Sequence, residues 1–137
     1  PPNPSVSGQQ TPSTYGHYTL AVTLLVTHDI GIVAQVADYV GVMYAGKLVE
    51  FSDVYRLFKH PRHPYTKGLI ESTPSLVSDN ENIVQISGSP PDLRHLPSGC
   101  VFHPRCPRAD NICKSVEPVR TFNEFGDLVV CHLPYAE

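Results

Sequence analysis

The sequence predicts a small α/β unit followed by a mostly irregular, cysteine-rich extension. Three observations carry this: a near-continuous apolar run at residues 20–26, helix-spaced apolar residues directly after it, and a C-terminal half crowded with proline and cysteine. An unbroken β-favouring run fits a strand covered on both faces, as in a parallel sheet, whereas a half-exposed strand would alternate. The 137 residues suffice for one modest domain.

Residues 1–19 hold no Asp, Glu, Lys or Arg, and twelve of the nineteen are Pro, Ser, Thr or Gly. That is the chemistry of a flexible tract. The core strand at residues 20–26 ends at Thr27-His28-Asp29. Beyond it, Ile30, Val33, Val36, Ala37 and Val40 recur at helical spacing, with Asp29 or Thr27 placed to cap the first turn. Residues 40–44 and 47–50 read as two strands joined by Ala45-Gly46, a hairpin in which Gly46 takes a positive φ without steric cost. Ser52 is the expected cap of a helix burying Val54, Tyr55, Leu57 and Phe58, which stops near His60 because Pro61 follows. A further short helix over residues 64–72 turns Tyr65, Leu69 and Ile70 inward. Residues 83–86 suggest a short edge strand, and residues 88–91 a turn. Between residues 97 and 118 there are three cysteines, four prolines and few core-sized side chains, so order there is expected to depend on what the cysteines bind.

Ten basic against thirteen acidic residues leave a net charge of −3, which disfavours a nucleic-acid-binding surface. No apolar run approaches the roughly 20 residues that span a bilayer. No secretory leader pattern opens the chain, so a reducing, cytoplasmic setting is the expectation. In that setting Cys100, Cys106, Cys113 and Cys131 point to metal or cluster ligation before disulfides. Their spacing lacks the Cys-x2-Cys knuckle of most structural zinc sites, yet four thiolates suit either tetrahedral zinc or an iron-sulfur cluster. His103 and His132 lie close enough in sequence to replace a ligand or support one. Lys47, Arg105 and Arg108 read as solvated charges, with the two arginines also placed to soften a cluster's charge.

Several segments, in order, resemble the C-terminal part of the ATP-binding subunits of oligopeptide and dipeptide ABC importers. They are LLVTHDIGIVA at 24–34, Ala37-Asp38, VMYAGKLVE at 42–50, HPYTKGL at 63–69, PSGCVFHPRC at 97–106, and Cys113, Pro118 and Cys131-His132. Nickel importers of the same group share many of these motifs, so the resemblance implies the family and not the transported substrate. The resemblance implies a truncated C-terminal part of an ABC-type nucleotide-binding domain at residues 20–73 and the transporter-type cysteine-containing extension at 74–137. It makes His28 the switch histidine that meets the γ-phosphate, because an imidazole can donate from one nitrogen while the other is fixed by a neighbour. It also tips the four cysteines toward a 4Fe-4S cluster, with zinc the alternative, acting as a structural staple rather than a redox centre.

No Gly-x-x-x-x-Gly-Lys-Ser/Thr loop, Leu-Ser-Gly-Gly-Gln segment or strand ending in Asp-Glu occurs in these residues. ATP and Mg are therefore expected in an intact subunit and not on this chain alone, which should be inactive by itself. The implied setting is peripheral, at the inner face of the membrane. The implied partners are a second nucleotide-binding subunit and transmembrane permease subunits, with self-association through any uncovered apolar face. The competing reading is a stand-alone zinc or iron-sulfur interaction module.

Overall fold

A computed structural model describes residues 22–74 and 85–136. The expectations for residues 1–21 and 75–84 lie outside these described residues, including the flexible tract and the first half of the 83–86 strand. In chain order the elements are α1 (Ile30–Val36), β1 (Tyr39–Tyr44), β2 (Lys47–Asp53), α2 (Val54–Lys59), α3 (Pro64–Glu71), a 3-10 turn (His103–Arg105), α4 (Asn111–Ser115), β3 (Arg120–Phe122) and β4 (Leu128–Val130).

Asp29 caps α1 as expected, its Oδ1 accepting from the amides of Gly31 at 2.9 Å and Ile32 at 3.2 Å. The hairpin also forms where the sequence places it. Both turn residues have positive φ, 49° at Ala45 and 77° at Gly46, the arrangement whose twist matches the flanking strands. Within the hairpin β1 alternates, sending Val40, Val42 and Tyr44 inward. A register shift between Val42 and Met43 breaks the alternation across the ladder. As a result Val49 and Glu50, adjacent in β2, are both buried.

Three local expectations need correction. Asp53, not Ser52, caps α2, accepting from the amides of Tyr55 and Arg56, and so β2 runs on through Ser52. Tyr55 is 69% exposed, while Leu57 is fully buried, since a six-residue helix can present only a narrow stripe to the core. Residues 22–27 form no strand, and Val22, Leu24 and Val26 are 96%, 87% and 87% exposed. A strand covered on both faces needs neighbours, and no described segment pairs with this one.

The largest correction concerns the extension, which is not a separate irregular tail. The sheet order is β1-β2-β4-β3, antiparallel throughout, with Glu50 opposite Val129 and Phe51 opposite Leu128. Val101 and Phe102 join Val40, Val42, Tyr44, Val49 and Leu57 in one core. The hairpin leaves the outer edge of β2 unpaired, and β4 satisfies those backbone groups. Side chains fasten the same junction. Arg56 grips Asp127 through two bonds of 2.7 and 2.8 Å and stacks 5.2 Å over Phe125, while Asn123 donates to the same carboxylate. The Arg56 bond pulls the Asp127 pKa down to about 2. Gly99 completes the docking. A Cβ there would lie 2.5 Å from the Cys113 carbonyl oxygen, at a φ of 69°, so only glycine lets the two strands of loop meet.

Candidate functional site

The residues singled out by the sequence fall into two places. His28 is exposed at a bend between the open segment and α1, where Thr27 Oγ1 accepts from the Asp29 amide at 3.0 Å and Asp29 caps the helix. The imidazole is thus carried on a locally ordered corner and presented outward. The cysteines belong to the second place, the loop system between residues 98 and 132. Cys113 is buried on α4; Cys100, Cys106 and Cys131 are half-buried, and all four are free thiols.

The backbone draws this loop system together. The Cys100 amide donates to the Cys113 carbonyl at 2.8 Å, His103 N to Cys100 O at 3.0 Å, and Cys106 N to His103 O at 3.3 Å. Burial pushes the Cys131 thiol up to about 11, with the three other cysteines adding to the effect, and burial also raises Cys100 and Cys106.

Among the described residues, no group of three or more His, Cys, Asp or Glu side chains is placed to hold a metal ion. The expectation of a 4Fe-4S cluster, or of zinc, at Cys100, Cys106, Cys113 and Cys131 is therefore overturned. The loop obtains its order from elsewhere: backbone pairing, the β2–β4 ladder and the burial of Val101 and Phe102. The histidines follow suit. His103 Nδ1 lies 2.9 Å from Cys100 O, and His132 Nε2 lies 2.9 Å from Val116 O, so both hold backbone. Arg105 and Arg108 are not merely solvated. Arg105 donates to Ser87 O, Ile86 O and the Tyr44 hydroxyl, and Arg108 lies 4.3 Å over the Tyr135 ring. Lys47 pairs with Glu117 in the extension.

What sequence reasoning missed is a buried polar hub. Glu50, 2% exposed, accepts from the amides of Arg62 at 2.8 Å and His63 at 2.9 Å. Those amides precede α3, whose first residue is Pro64, and they would otherwise be orphaned in the interior. Desolvation raises the Glu50 pKa, opposed by the bonds it accepts and the charge of Arg62. His63 caps α3 by accepting from the Tyr65 amide at Nδ1, 3.0 Å. Phe102 lies over this hub, with ring centroids 5.7 Å from His63, 5.0 Å from Tyr44 and 5.3 Å from Tyr65. The sequence signal was present in His63-Pro64, a helix start whose preceding amides need a remote acceptor.

Burial lowers the His63 pKa to about 4. The unfolded chain protonates near 6.5, so between these values it binds more protons than the folded protein. The His63 contribution to stability is therefore complete above pH 6.5 and declines as pH falls toward 4. Glu50 acts in the opposite sense: its raised pKa makes the folded state hold a proton above pH 4.5, so its contribution falls as pH rises. Comparison with His63→Asn, which keeps a side-chain acceptor for Tyr65 N, isolates the histidine. Urea midpoints of the variant should lose part of the decline over that window; an unchanged difference at every pH would disprove the assignment.

With the geometry established, comparison with known proteins identifies the class. A family described as "Oligopeptide/dipeptide transporter, C-terminal region" matches residues 49–113. The dipeptide transport ATP-binding protein DppD of Caldanaerobacter subterraneus subsp. tengcongensis is 46% identical over 115 residues, 83% of this chain and 35% of the relative. The oligopeptide transport ATP-binding protein OppD of Haemophilus influenzae is 44% identical over 110 residues, 80% of this chain and 34% of the relative. DppD of Bacillus subtilis is 46% identical over 110 residues, covering 80% and 33%. The chain matches the ATP-binding subunits of ABC transporters. More particularly, it matches the C-terminal region of the oligopeptide and dipeptide subunits, the OppD/DppD family. It spans about a third of the length of these relatives.

Proposed function

We propose that this chain is the C-terminal portion of an ATP-binding subunit that powers peptide import by an ABC transporter, working at the cytoplasmic face of the membrane. The single observation that carries the reading is the match, across four-fifths of the chain, to peptide-transport ATP-binding proteins, within which residues 49–113 match the family's C-terminal region. Among the described residues no helix is long and apolar enough to cross a membrane.

In this reading residues 20–73 complete a nucleotide-binding domain, and the extension from residue 74 provides subunit contacts. Partners are a second nucleotide-binding subunit and the permease. His28 orients the γ-phosphate and attacking water in an ATP site whose phosphate loop and Asp-Glu pair come from the preceding portion of the subunit. The exposed imidazole after Thr27 is available for that role, and its neighbour Asp29 fixes the following turn.

The test joins this chain to the preceding two-thirds of a DppD relative and measures ATP turnover and dipeptide uptake in a DppD-deficient strain. Restored turnover and uptake are expected, with the isolated chain giving neither. His28→Ala in the joined protein should reduce turnover by about 100-fold while leaving the unfolding midpoint unchanged. Restored uptake that ignores His28→Ala would remove the histidine from the mechanism; no restoration would overturn the transport reading.

A further inference from the structure

A cleft of about 550 Å3 separates α3 from the segment 85–88. Its first wall is one face of α3, because Pro64, Lys67, Gly68 and Glu71 follow at helical spacing. Gly68 sets the width at its narrow point: a Cβ there would stand 2.9 Å from Ile86 Cγ1, so the absent side chain lets the opposite wall approach. The floor is apolar and aromatic, formed by Phe102, Pro104, Pro107 and Tyr135. Small-ligand sites have this character, an apolar body with a few converging polar groups and a volume of about 300–1,000 Å3.

The polar groups specify the ligand. Arg105 lines the wall with a guanidinium whose recorded partners, two carbonyls and a tyrosine hydroxyl, are all neutral. Arg108 adds a second positive charge beside the floor, 4.3 Å over Tyr135. On the other wall Lys67 and Glu71 pair at 2.8 Å, but both are about 39% exposed, so the pair is open to exchange. The cleft thus offers positive charge on one side, an accessible carboxylate on the other, and an apolar surface between. We propose that it binds a short peptide, with the terminal carboxylate at Arg105, the terminal amine at Glu71 and an apolar side chain on the aromatic floor. The choice of a peptide over other amphipathic zwitterions rests on the transport reading. Bound there, cytoplasmic peptide would contact the extension that packs against the β1–β2 hairpin.

Calorimetry and amide chemical-shift mapping with the dipeptide leucyl-phenylalanine test this on the chain as it stands. Saturable binding is expected, with shifts at Lys67, Gly68, Ile86 and Tyr135. Amidating the peptide's C-terminus should weaken binding about tenfold, since it removes a charge-assisted bond. Glu71→Gln should abolish the preference for a free over an acetylated amine, with an unchanged far-ultraviolet spectrum showing that the fold is kept. No shifts at saturating dipeptide, shifts confined to another surface, or equal binding of blocked and free peptides would overturn the proposal. Dipeptide binding without restored uptake would sink the transport reading and leave the site; restored uptake without binding would sink the site alone.

Discussion

Phe102→Ala is expected to destabilise the protein by roughly 3–5 kcal/mol, the range for removing a large aromatic from a packed core. The ring is 1% exposed and touches Tyr44 of β1, His63 before α3 and Tyr65 within α3, so it is where the extension meets the hairpin and the helix. Domains of this size are stable by only about 5–15 kcal/mol, so the loss would bring much of the chain near its unfolding midpoint. Urea unfolding measures the cost, and amide exchange locates it. Exchange should accelerate first at Leu128 and Val129, whose pairing with β2 depends on the docked extension. A cost below about 1 kcal/mol would show that the extension is held by its ladder and side-chain clasps alone.

Glu50→Ala is expected to cost about as much, roughly 3–5 kcal/mol, for a different reason. The substitution removes both acceptors of the Arg62 and His63 amides and leaves those donors buried, each at about 1–3 kcal/mol. The Coulombic attraction between Glu50 and Arg62 is lost as well. Glu50→Gln should cost less, because its amide retains one acceptor while turning the other position into a donor facing a donor. The order Ala, then Gln, then wild type, read from urea midpoints, is the diagnostic result. Equal stability of Gln and wild type would mean that only one of the two amides relies on Glu50.

Much of the local structure was legible in the residues. Asp29, the Ala45-Gly46 turn and the Pro61 stop act through their own backbone or their nearest neighbours, and each boundary they imply is present within a residue or two. The Ser52 cap failed over one residue, because Asp53 offers the same acceptor and β2 pairing kept Ser52 in the strand. The open run at residues 22–26 shows the converse. Its composition demands a covered strand, but composition cannot supply the neighbouring strands.

The candidate site divides in the same way. His28 is singled out by a motif that lies within a few residues, and the structure places it exposed at the bend before α1. The cysteines were misread because their spacing and proline-rich surroundings said nothing of where β4 and Phe102 would dock. Once those packed, the loop had a core and backbone partners without a metal.

By itself, the sequence determined the match to peptide-transport ATP-binding subunits, the hairpin and most helix boundaries, since these depend on side-chain pattern and on interactions spanning a few residues. Only the tertiary structure decided that Glu50 and His63 are buried, that the extension completes the sheet, and that Arg56 clasps Asp127 seventy-one positions away. The physical reason is that burial and desolvation belong to what lies across the core from a residue, and chain proximity does not report that partner.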